Sequence, residues 1–127
     1  MELYREGKVI KSYRVALGPN SVGPKIRQGD HRTPEGKYRI DGKNAHSHYH
    51  LALHISYPDS KDRERARKFG VSPGGDIMIH RLPDRYAYLG SLHTKYDWTD
   101  GCIAVTNAEI EEIWKLVAVG TEVEVNP

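Results

Sequence analysis

Short runs of alternating hydrophobic and polar residues, separated by glycine and proline, occupy much of the chain. ELYREGKVIKSYRVAL predicts two strands joined by a hairpin turn at REGK, and KYRI predicts a third. HYHLALHISYP places its large apolar side chains, from Tyr49 to Ile55, on one strand face. GGDIMIH predicts a buried strand that ends at His80, and TEVEV predicts a terminal strand.

Two further segments predict helices. DSKDRERARKFG has Asp59 or Ser60 as N-cap and Gly70 as a stop, so it predicts a short polar helix. Thr106 and Glu109 form a capping box before apolar residues at helical spacing, which predicts an amphipathic helix that closes near Gly120. Six or more short strands with two short helices predict a mainly β fold, a sandwich or barrel, with residues 1–127 as one domain.

Composition narrows the function classes. The chain has 127 residues and a formal charge of only +2, with Lys and Arg mixed among Asp and Glu, which argues against a nucleic-acid partner. No run of eighteen apolar residues is present, so we expect no membrane span. The opening MELYREGKVI lacks the features of a secretory signal, which indicates either a cytosolic protein or a removed export segment.

Cys102 is the only cysteine, and it directly follows Gly101 a few residues before the second predicted helix. A free cysteine often fills space in a core, which is one interpretation. A turn before a helix is a more accessible position, and there the amides of Gly101 and Cys102 can point toward a developing oxyanion. The nucleophile interpretation requires a histidine that the fold brings close to Cys102.

Two histidines are candidate bases for such a thiol. His80 ends a predicted strand, and an imidazole there can take the proton of a thiol to give the reactive thiolate. His93 lies in the long segment from Arg81 to Asp100, whose length suggests a functional loop. Its aromatic side chains either stack on substrate as a lid or pack over the core; they are Tyr86, Tyr88, Tyr96 and Trp98.

A histidine cluster in HSHYH raises a metal-binding alternative. His46, His48 and His50 share one face of an extended strand and are of a type that binds zinc. Three such residues span about 13 Å, however, which is too far for one ion. We therefore predict no metal site and no cofactor.

Three stretches together resemble the L,D-transpeptidase catalytic domain of the YkuD type. GDHRTPEGKYRI is similar to the family segment G-D-x-x-T-P-E-G-x-Y-x-I, and GGDIMIH is similar to the strand that carries the family's histidine. TDGCIAVTNAEIEEIW resembles the S/T-x-G-C motif and the helix after it. The three stretches keep the family's order along nearly the whole chain.

The resemblance implies a β-sandwich-like fold and a cysteine acyltransferase that acts on peptidoglycan stem peptides. It implies Cys102 as nucleophile, His80 as general base and later acid, the Gly101 and Cys102 amides as an oxyanion hole, and the Arg81 carbonyl as the group that orients the imidazole. The thioester forms at the third stem residue with release of D-alanine. The acceptor stays open between a stem-peptide amine, a murein-linked lipoprotein and water, and the implied location is the periplasm or cell envelope.

Departures from the family pattern keep other functions open. Arg81 replaces the usual glycine, and Asp100 and Ala104 replace histidine and arginine. These resemble a Gram-negative branch with enzymes that detach or attach lipoprotein, so an endopeptidase, a carboxypeptidase or a non-catalytic peptidoglycan-binding module are the alternatives. An ionised Asp100 disfavours the thiolate, so we expect it to bond away from sulfur or to pair with His93. We expect substrate contacts from Tyr88, His93, Trp98, Thr99 and Asp100.

Overall fold

The computed structural model describes residues 1–20, 22–47 and 50–127. Along these residues lie seven strands, two α-helices and one 3₁₀ segment. In chain order they are β1 (Glu2–Arg5), β2 (Lys8–Ser12), β3 (Gly36–Ser47), β4 (His50–Ile55), α1 (Ser60–Lys68), β5 (Met78–Arg81), the 3₁₀ segment (Asp84–Lys95), β6 (Ile103–Val105), α2 (Asn107–Leu116) and β7 (Glu122–Val125). The predicted fold class, mainly β with two short helices, is confirmed.

Five strands form one mixed sheet in the order β6-β5-β4-β3-β7, and β1 and β2 form a separate antiparallel hairpin. Neighbours in the large sheet are antiparallel except β5 and β6, which are parallel. A parallel pair needs a crossover connection, and residues 82–102 supply it. The start of β6 therefore lies beside the start of β5, which brings Cys102 next to the strand of His80.

One face of the sheet carries the hydrophobic core. In β4 the side chains of Leu51, Leu53 and Ile55 are buried on this face, and α2 covers it with Ile110 and Ile113. Each such buried aliphatic side chain contributes about 2 kcal/mol to stability. Because side chains alternate along a strand, the residues of β4, β5 and β6 between these buried positions project from the opposite face.

Both helices begin where the sequence predicts. The Asp59 carboxylate accepts the Asp62 amide at the start of α1, and the Thr106 hydroxyl accepts the Glu109 amide at the start of α2. The second helix ends at Leu116, before the predicted stop, because Val117 already has an extended backbone. Each cap satisfies helical amides that have no intrahelical partner.

Two strand predictions needed correction. The strand of His80 begins at Met78 rather than Gly74, because Gly74 and Asp76 have positive φ angles of 77° and 55° that a strand does not accommodate. The strand predicted at KYRI continues to Ser47, with a change of register at Ile40/Gly42. A bulge of this kind hides the continuation from a simple alternation pattern.

Asp30 organises the loop before β3. Its carboxylate accepts the amides of Ile26, Arg27 and Arg32 at 2.9, 3.1 and 3.2 Å and the Lys25 ammonium at 2.9 Å. Burial opposes ionisation, but these four donors hold the pKa of Asp30 at about 2. Asp30, the aspartate of the GDHRTPEG segment, thus holds its loop together through these four bonds.

Within the described part of the chain, no helix has the length and apolar character needed to cross a membrane.

Candidate active site

Sheet register places Cys102 and His80 on the same face. In the parallel pair Ile79 lies opposite Ile103 and His80 opposite Ala104, so Cys102, one residue before β6, shares the face of His80. The two are diagonal neighbours on adjacent strands, with Cα atoms about 8 Å apart by ordinary sheet geometry. Their side chains therefore project from the same face of the sheet, opposite α2.

The environment of His80 fixes its imidazole. Its exposed fraction is 2%, and Nδ1 donates to the backbone carbonyl of Arg81 at 2.7 Å. Its strand partners on both sides, Ala52 and Ala104, are small and buried, which leaves room for the ring. The Trp98 ring meets the imidazole edge-on, with centroids 6.3 Å apart. Burial lowers the pKa of His80, which keeps its imidazole neutral at pH 7.

The Cys102 thiol is partly buried among polar backbone groups. Its Sγ donates to the carbonyl oxygen of Asp76 at 3.4 Å. Burial raises the pKa of this thiol, and the charges of Asp100 and Asp76 raise it further, while a bond from the Met78 amide and the charge of Lys25 lower it. Cysteine and histidine are therefore both neutral at pH 7, so the thiol must lose its proton as it attacks.

The turn before Cys102 is closed by Thr99. The Thr99 hydroxyl donates to the Cys102 carbonyl at 2.7 Å and accepts the Gly101 amide at 3.2 Å. Gly101 has φ +125°, and an added Cβ would lie 2.6 Å from the Arg32 carbonyl oxygen. Only glycine fits there without strain, so the loop of Arg32 and the nucleophile turn are packed directly together.

These bonds bear on two sequence-based expectations, which stay predictions. In this geometry the Gly101 amide donates to Thr99, which leaves the Cys102 amide as the better placed candidate for an oxyanion donor. Thr99 has an exposed fraction of 4%, and its hydroxyl supports the turn.

His93, the alternative base, lies against Trp98. It is 4% exposed, and its Nδ1 accepts the Trp98 indole N–H at 3.3 Å. Burial lowers the pKa of His93 as well. It therefore anchors Trp98, whose ring lies edge-on to the imidazoles of both His93 and His80. The sheet register, which places His80 on the face of Cys102, favours His80 as the base. Trp98 retains an exposed fraction of 38%.

Asp100 points into solvent, away from sulfur. Its carboxylate lies 3.2 Å from Nδ1 of His31 and its side chain is 91% exposed. The expected pairing with His93 is absent: the Asp100 carboxylate pairs with His31, and His93, a residue of the 3₁₀ segment, is buried. The alternative expectation, an orientation away from the thiol, fits the structure.

The aromatic segment forms an apolar cavity of about 560 Å³ beside His93 and Trp98. Tyr88, a predicted substrate contact, is 80% exposed and lies in the same 3₁₀ segment. The lining residues are Leu82, Tyr86, Leu89, Leu92, His93, Lys95, Tyr96 and Trp98. The predicted structureless loop thus contains helical turns and presents apolar surface close to the site.

His54 also belongs to this neighbourhood. It pairs with Met78 in the sheet and so shares the face of Cys102. Its Nδ1 lies 2.6 Å from Asp41, and its Nε2 lies 3.6 Å from the carboxylate of Asp76. In HLALHI, His54 alternates with the buried Leu53 and Ile55, but only the sheet register relates its position to Cys102.

The metal alternative gains no support from the described residues. Residues 1–20, 22–47 and 50–127 contain no group of three or more His, Cys, Asp or Glu placed to hold an ion. His48 lies outside the described residues, and His46 is exposed.

Known proteins resemble this chain in sequence. The model of the L,D-transpeptidase catalytic domain family, YkuD, matches residues 1–125. YafK of Escherichia coli (strain K12), a protein named as an L,D-transpeptidase, is 30% identical over 112 residues, which are 87% of this chain and 38% of YafK. The chain thus spans about two fifths of that relative.

Solved structures resemble it in fold. The crystal structure of Pgp2 from Campylobacter jejuni, a helical cell shape determining protein, is 29% identical with a TM-score of 0.68, over 95% of this chain and 41% of that one. An L,D-transpeptidase from Mycobacterium smegmatis is 14% identical with a TM-score of 0.59, over 96% of this chain and 51% of that one. This second likeness concerns the fold alone. With the family model matched across residues 1–125, the chain belongs to the L,D-transpeptidase catalytic domain family.

Proposed function

We propose that this chain catalyses acyl transfer on peptidoglycan stem peptides through a thioester at Cys102. The observation that carries the proposal is the shared sheet face of His80 and Cys102, with the imidazole tautomer fixed by the Arg81 carbonyl. Because Nδ1 carries the proton, Nε2 has the free lone pair that a general base needs. Family membership supports the reaction class.

The first half of the reaction forms the thioester. Nε2 of His80 takes the thiol proton while Sγ of Cys102 forms a bond to the carbonyl carbon of the third stem residue. The amide bond to D-alanine then breaks, and the imidazolium returns the same proton to the departing amine. The Cys102 amide is the candidate donor to the developing oxyanion.

The second half releases the acyl group. An amine or water attacks the thioester carbon and gives a proton to His80. The carbon–sulfur bond then breaks, and the imidazolium returns the proton to sulfur. A stem-peptide amine yields a crosslink, a lipoprotein lysine yields an anchor, and water yields a hydrolysed stem. The substrate class places the reaction in the periplasm or cell envelope, and this chemistry uses no metal or organic cofactor.

Product analysis tests this function. The chain is incubated with a stem tetrapeptide ending in D-alanine, with a second stem peptide, a lysine-containing lipoprotein peptide or buffer alone, and products are identified by mass. We expect D-alanine release in the wild type and none in Cys102→Ala, and the acylated product names the acceptor. Tetrapeptide that binds but is never cleaved would instead make the chain a peptidoglycan-binding module.

A further inference from the structure

A second surface groove, of about 590 Å³, lies on the loop that packs against the nucleophile turn. It is separate from the apolar cavity of the 3₁₀ segment. Its lining comes from the loop before β3 and from the end of α1, and consists of Asn20, Ile26, Arg27, Gly29, Asp30, His31, Arg32, Phe69 and Val71.

The groove carries an excess of positive charge. Asp30 is the only carboxylate of the lining, and its two oxygens already accept four donors from its own loop. The Arg27 side chain is exposed and has no hydrogen bond or ion pair within the described ranges. Arg32 makes one long bond, 3.4 Å to the Pro24 carbonyl. Two guanidinium groups therefore have donors available for an anion, and a carboxylate matches their fork geometry.

The groove lining also includes apolar side chains. Phe69, which follows α1, is 64% exposed, and the other two are Ile26 and Val71. An exposed phenylalanine and two arginines in the same groove favour a ligand that combines a carboxylate with an aliphatic part. A short peptide with a free carboxylate has both.

The groove also adjoins the nucleophile. The Arg32 carbonyl lies against Gly101, one residue before Cys102, and His31 is paired with Asp100. A peptide held in the groove by its carboxylate can therefore extend toward the thiol over a few residues.

We propose that this groove is a carboxylate-binding subsite for the peptide substrate, with Arg27 and Arg32 as the anion-binding residues and Phe69 as the apolar contact. The inference rests on the proposed function, since it assigns the groove to the peptide that acylates Cys102. The inference identifies the part of the peptide that is recognised, a carboxylate, and the loop that recognises it, the loop before β3.

The test measures binding to the Cys102→Ala chain, which holds substrate without turnover. A stem tetrapeptide is titrated by calorimetry against this chain and against versions that also carry Arg27→Gln or Arg32→Gln. We expect each arginine change to weaken binding about tenfold, as for loss of a charge-assisted bond. Arg39→Gln is the control, because Arg39 is an exposed arginine paired with Glu122 away from the groove, and its loss should leave the affinity unchanged.

Two modified peptides identify the carboxylate. A tetrapeptide with an amidated C-terminus and one with amidated side-chain carboxylates are titrated in parallel. The peptide that lacks the recognised carboxylate should bind the parent chain about tenfold more weakly, and Arg27→Gln should weaken it no further.

Unchanged affinity in both arginine variants would overturn the subsite, as would equal binding of all three peptides. These failures are distinct from failure of the proposed function. If the wild-type chain still releases D-alanine while the arginine changes have no effect on binding, only the subsite is wrong. If no D-alanine is released by any version, the acyl-transfer proposal itself fails.

Discussion

The imidazole of His80 donates from Nδ1 to the carbonyl of Arg81, 2.7 Å away on the same strand. This bond fixes both the ring orientation and the tautomer, since a carbonyl only accepts. Any residue at position 81 supplies the same carbonyl, so arginine in place of the family's glycine leaves the orienting bond intact. The acid–base behaviour of the site then depends on the burial of His80.

The pH profile of the reaction should reflect that burial. Attack requires neutral His80, and burial lowers its pKa below the usual 6.5. We therefore predict that kcat/KM rises with pH through an apparent pKa below 6.5 and is already maximal on the acid side of neutrality. His80→Gln should reduce the rate by about 10²- to 10⁴-fold. An acid limb above pH 7 in a chain shown to be folded would contradict this assignment.

Asp76→Asn should increase the reactivity of the thiol. The Asp76 charge raises the pKa of Cys102, its side chain is 93% exposed, and asparagine tolerates its positive φ of 55°. Removing the charge should lower the pKa of the thiol and speed iodoacetamide alkylation at pH 7 about twofold, a size typical of a screened charge. Glu122→Gln, at the far edge of the sheet, is the control and should change nothing. A slower reaction in Asp76→Asn would contradict the electrostatic account.

Gly101→Ala should destabilise the fold. A methyl group at this position meets the Arg32 carbonyl at 2.6 Å and the backbone has φ +125°. We predict a loss of about 2 kcal/mol or more in the free energy of unfolding, measured by urea denaturation. Gly75→Ala is the matched control because no atom lies within 4 Å of its added Cβ. Equal stability of the two variants would show that the loop contact is not tight.

Asp30→Asn should also lower the free energy of unfolding, because it removes the partner of a buried charge. It leaves the Lys25 ammonium, 3% exposed, without its carboxylate partner. We predict a loss of about 3 kcal/mol in the free energy of unfolding, against less than about 1 kcal/mol for Glu122→Gln, which removes an exposed ion pair.

The pH dependence of stability gives an independent check on Asp30. Its pKa falls from 3.8 to about 2 on folding, so its stabilisation is complete above pH 4 and is lost as pH falls toward 2. The Asp30→Asn chain should lack this part of the acid loss. A wild-type stability that stays flat between pH 4 and pH 2 would contradict the assignment.

Local patterns were enough to predict some elements of the fold. The N-cap of α1 at Asp59, the capping box at Thr106 and the glycine turn between the first two strands depend on residues within four positions of one another. The family motifs identified Cys102 and His80 as the residues of interest. The bulge in β3 and the positive φ at Asp76 were invisible to alternation, because they depend on partners far along the chain.

The site itself depends on contacts between distant segments. Whether His80 or His93 is the base was open from sequence, and the sheet register, which places His80 on the face of Cys102, favours His80. The bonds of Thr99 likewise show a support of the nucleophile turn that its position in the sequence does not reveal. Nothing in the local sequence relates Arg32 to Gly101.

The most direct test of the account is the intact mass of the protein after acid quenching of a brief reaction with stem tetrapeptide. We predict a wild-type adduct equal to the tripeptidyl acyl group, which hydroxylamine removes, and no adduct in Cys102→Ala. Release of D-alanine by Cys102→Ala, or turnover by the wild type with an adduct on another residue, would contradict a thioester at Cys102.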